Sequence, residues 1–65
     1  MRTVNRKEFK EFVGSNPDLV SHPTEGHQIS VMQYLSADSQ KVRAQAVYSR
    51  LVEGYQAVVT YYIED

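Results

Sequence analysis

The sequence has no cysteine and no tryptophan, few glycines and prolines, and no long apolar run. Each shortage excludes something. Without cysteine there is no disulfide framework and no thiolate metal site. Gly14, Gly26 and Gly54 are too scattered to form a glycine-rich loop around a phosphate. No segment approaches the roughly 18–20 consecutive apolar residues that a membrane-spanning helix needs. Neither sign of charge dominates. Seven Lys/Arg against eight Asp/Glu leave a net charge of −1, which gives no general pull toward nucleic acid or membrane. From these absences a cytoplasmic protein without a membrane partner is expected.

A chain of 65 residues is expected to form one small domain, 1–65. Cores of this size are marginal, and chains below about 70–80 residues usually need disulfides, metal or association. With cysteine gone, association with another chain is the remaining stabiliser, and a homodimer is expected.

What is present is a β-rich C-terminal half. Residues 42–52 and 55–63 are rich in Val, Tyr, Ile and Thr and flank Glu53-Gly54, the pattern of a β-hairpin. A two-residue turn fixes the register. It sets Tyr48 opposite Val59, Ala46 opposite Tyr61 and Ala44 opposite Ile63. One face of the hairpin is then apolar and the other mixed. A helical reading competes, because Ala44, Val47, Tyr48 and Leu51 also fall on one helical stripe. Under that reading Gly54 would end the helix.

Upstream, Asn5 and Glu8 are spaced as a capping box, with Val4 and Phe9 placed for a hydrophobic staple. Phe9, Phe12 and Val13 make one apolar stripe ending at Gly14. The spacing predicts a helix over about 5–14, held by docking because it is too short to persist alone. Ser21 to Gln28 reads as a loop around Pro23 and Gly26. From Ile29 to Leu35 apolar residues alternate with others. Pairing Leu35 with Val42 sets Val31 against Ala46 and Ile29 against Tyr48.

The expected fold is α+β. One N-terminal helix packs on a three-stranded antiparallel meander (αβββ, two layers) with strands near 28–36, 41–52 and 55–64.

No residue constellation argues for catalysis. His22 and His27, with Glu25 between them, are possible metal ligands, but their spacing matches no zinc pattern and no further protein ligand is evident. Ser21 and His22 are adjacent in sequence, which does not bring their side chains together as nucleophile and base. No catalytic residue, cofactor or metal is assigned. The expectation is a non-catalytic protein-interaction module, a regulator or inhibitor of a larger protein. Its binding surface would be the sheet face that the helix leaves open, carrying Met32, Tyr34, Arg43, Val47, Leu51, Val58 and Tyr62. The alternative is a weak single-stranded nucleic-acid binder. It would use Tyr34 and Tyr62 for base stacking, with Arg43 and the cations Arg2, Arg6, Lys7 and Lys10 for phosphate.

Overall fold

The computed structural model of the chain describes residues 1–38, 40–50 and 57–65. Strand β1 (Arg2–Val4) is followed by helix α1 (Arg6–Gly14). Four strands complete the chain: β2 (Val20–Glu25), β3 (Ile29–Leu35), β4 (Val42–Ser49) and β5 (Val58–Ile63). They form one five-stranded antiparallel sheet in the order β1-β5-β4-β3-β2. The expected three-stranded meander is therefore corrected to a five-stranded sheet with one short helix.

The two additional strands come from segments with weak local signals. Arg2–Val4 is too short to show alternation on its own. It becomes a strand by pairing with the C-terminal end of β5, Arg2 opposite Ile63 and Val4 opposite Tyr61. The expected loop lies largely in β2, whose residues Val-Ser-His-Pro-Thr-Glu have mostly poor strand preference. Pairing with β3 overrides that preference, as tertiary context often does for strands.

Pro23 fits because of its place in the ladder. Antiparallel bonds alternate along a strand. The Gly26 N–H donates to the Ile29 carbonyl at 2.8 Å. Val20, His22 and Thr24 therefore bond toward β3, and Pro23 faces outward, where its missing N–H breaks no bond.

The helix forms as expected. Asn5 stands in extended geometry at its N-terminus, and its Oδ1 accepts the Glu8 N–H at 2.8 Å. At the other end the Asn16 side-chain amide donates to the Phe12 carbonyl at 2.7 Å and satisfies a group the helix leaves unpaired. Phe9 carries the docking. Its ring lies 4.9 Å from that of Tyr61 and 5.7 Å from that of Tyr34. Phe9, Ala44 and Ile63 are the buried core among the described residues, with Val4, Phe12, Val13, Tyr34, Ala46 and Tyr61 packed against them. Ala44 is fully buried, because the phenylalanine ring needs the space a small side chain leaves.

The hairpin reading of the C-terminal half holds over residues 42–49, which are strand rather than helix. Ala44–Ile63, Ala46–Tyr61 and Tyr48–Val59 are paired as the register argument required. The Glu53-Gly54 turn lies outside the described residues.

The pairing of β3 is different. Leu35 does face Val42, but Tyr34 then faces Ala44, leaving Arg43 as an extra residue in a bulge. Every later pair is shifted by one. Val31 meets Val47 rather than Ala46, and Ile29 meets Ser49 rather than Tyr48. Because side chains alternate, a one-residue slip turns the whole strand over.

Candidate functional site

The sheet has one face against α1 and one face that no described element covers. The register assigns each side chain. On the helix side stand Arg2 and Val4, Val59, Tyr61 and Ile63, Ala44, Ala46 and Tyr48, Ser30, Met32 and Tyr34, and then Ser21, Pro23 and Glu25. On the open side stand Thr3; Val58, Thr60 and Tyr62; Gln45, Val47 and Ser49; Ile29, Val31 and Gln33; and His22 and Thr24.

Three of the residues expected on the open face are there, namely Val47, Val58 and Tyr62. Val58 is among the most exposed large apolar residues, at 46 %. Met32 and Tyr34 are not there. The bulge turns β3 over, so Tyr34 packs on Phe9 and Met32 sits beside Ala46 on the helix side. Arg43 also belongs elsewhere. Its guanidinium lies 5.5 Å from the Phe12 ring centroid and bonds Glu64 through Nε at 2.8 Å and Nη2 at 2.5 Å. That hydrogen bond raises the arginine and holds the Glu64 carboxyl below the usual carboxylate range. Leu51 lies outside the described residues.

The sequence reasoning missed Val31, Gln33 and Ile29, which the bulge brings to the open face. The signal it lacked was the extra residue at Arg43. Gln33 and Gln45 face each other at the middle of this surface, with Nε2 of Gln33 at 3.4 Å from Oε1 of Gln45.

One property of the open face could only be read once the register was known. It carries no Asp, Glu, Lys or Arg within its described strand residues. The chain has seven basic and eight acidic residues, so this absence is not a shortage of charge. The strand-borne ions go to the other side. Arg2 bonds Glu8 of the helix at 3.4 Å, Glu25 shares the helix-side register, and Arg43 lies on Phe12. A sheet face meant for water ordinarily alternates polar and charged groups with few valines.

The remaining candidates do not assemble. His22 and Glu25 point to opposite faces of β2, and His27 lies in the turn beyond it. Among the described residues no group of three His, Cys, Asp or Glu side chains is gathered for a metal. Tyr34, Tyr62 and Arg43 do not share a face, so the stacking platform of the nucleic-acid reading is not formed.

A groove of about 500 Å³ runs between the 15–19 turn and the 36–38 turn, lined in part by Asp18, Asp38 and Arg43. The Arg43 charge is already matched by Glu64, and no histidine reaches the groove to act as a base. Among the described residues no helix is long and apolar enough to cross a membrane.

Comparison with protein-family models, with curated proteins and with solved structures found no match.

Proposed function

We propose that this chain is a small non-catalytic interaction module whose binding surface is the open face of its sheet. The observation that carries this reading is the uncharged face itself. Charge depletion around a tyrosine is the composition of the middle of a protein interface, not of a surface kept in water. The surface area points the same way. A monomeric protein of 7.5 kDa exposes about 4,250 Å² by the usual surface-to-mass scaling. This chain exposes 4886 Å². The core explains the excess, since only Phe9, Ala44 and Ile63 among the described residues are buried. A domain with so small a core gains stability by covering its exposed face on another protein. Through such contact it would regulate or inhibit that protein without chemistry of its own.

The test is hydrogen exchange of the side-chain-bearing strands before and after association with whatever protein copurifies or self-associates. Protection should grow at Val31, Val47 and Thr60 and stay unchanged along α1. Protection confined to the helix would sink the reading.

A further inference from the structure

Resting on the reading of the open face as an interface, we infer that its occupant is a second copy of this chain. The two sheets would stack face to face across a two-fold axis. The charge pattern is the first argument. On a two-fold axis each residue meets its own copy, so the centre of a self-complementary face is kept free of ions. This one is free of them within the described strands, although charged residues flank it on the helix side and at the sheet ends.

The second argument is area. A specific interface removes about 800 Å² from each partner. The chain exposes roughly 600 Å² more than the scaling for its mass gives, an excess that covering an interface of this size would remove.

The third is closure. Growth along the sheet edges is hindered at both ends. At one edge Pro23 takes an outward-facing position of β2, and at the other the edge strand β1 offers only three residues. Stacking on the open face about a two-fold ends at two chains. Stacked sheets sit about 10 Å apart with interdigitating side chains. Val47, on the central strand and flanked by Val31 and Thr60, lies at the middle of the face and so closest to the axis. Gln33 and Gln45 keep polar groups beside it that can bond across.

The experiment is light scattering on the full chain over a concentration series, with circular dichroism to confirm folding. The parent should have the mass of two chains. Val47→Asp and Val47→Lys should each be folded monomers, with dimerisation weakened at least 100-fold. Mixing the two should restore a two-chain particle, because opposite charges then meet at the axis. Thr60→Lys, a milder change on the same face, covers the case in which the Val47 variants unfold, and should also be monomeric. A parent that stays monomeric near millimolar concentration overturns the second copy while leaving the interface reading to the exchange test. A dimer that survives in folded Val47→Asp and Thr60→Lys is built on another surface and overturns the second copy on this face, again leaving the interface reading to the exchange test.

Discussion

The two faces of this sheet are made by the same strands, yet they differ in kind. The helix side has aromatic rings, three of them tyrosine, set over small alanines, with charged groups at its margin. The open side has valines, glutamines and threonines and no ions within its described strand residues. The helix side is filled by one ring, Phe9, which needs Ala44 and Ala46 beneath it. Neighbouring residues thus answer to different demands, and Ala46 and Val47 show it most directly.

The largest effect should come from breaking the filled side. Phe9→Ala leaves a hole in a core of very few buried residues, and such truncations cost about 3–5 kcal/mol. A domain this small should then be largely unfolded at 25 °C, read from its circular dichroism and denaturant midpoint.

The sharpest contrast is a matched pair. Ala46→Lys buries a charge against the helix and should cost more than about 2 kcal/mol. Val47→Lys, one residue on, should leave the monomer fold intact and abolish association. Equal destabilisation by both would erase the distinction between the faces.

Smaller effects lie in the turns that set the register. A methyl at Gly26 would lie 2.8 Å from the Ile29 backbone oxygen, the atom its own N–H bonds. Gly26→Ala should therefore lower stability by about 1–2 kcal/mol in thermal unfolding. Gln40 takes φ +53°, in the left-handed region that favours glycine. Gln40→Gly should raise stability by up to about 1 kcal/mol, the strain relief exceeding the added freedom of the unfolded chain.

The weakest handle is pH. Arg43 holds the folded Glu64 carboxyl below its ordinary range. A lowered folded value means that the pair contributes fully above the unfolded value and is lost as pH falls through the folded one. Stability should drop slightly in acid, and Glu64→Gln should flatten that drop in a urea titration at several pH values. The pair is partly exposed, so the change is small.

How much of this was legible in the sequence varied by element. The helix was, because Asn5, Glu8, Phe9 and Gly14 each carry a local signal. The β4–β5 register was, because both strands sort together into the same two faces. The register of β3 was not, since a bulge at Arg43 leaves no mark on the alternation of either strand. Met32 and Tyr34 were misplaced for that reason alone, and the candidate surface lost two members and gained Val31, Gln33 and Ile29. Strands β1 and β2 were not legible either. Their residues become strands only when a neighbouring strand offers unpaired backbone groups.

The sequence by itself determined the helix and the strand character of the C-terminal half. These follow from local propensity, capping and periodicity. Only the tertiary structure decided how many strands the sheet has and which way β3 faces. It also decided that the ions of the strands collect on one side. Backbone pairing and the single extra residue at Arg43 act between segments far apart in the chain, where local pattern carries no information.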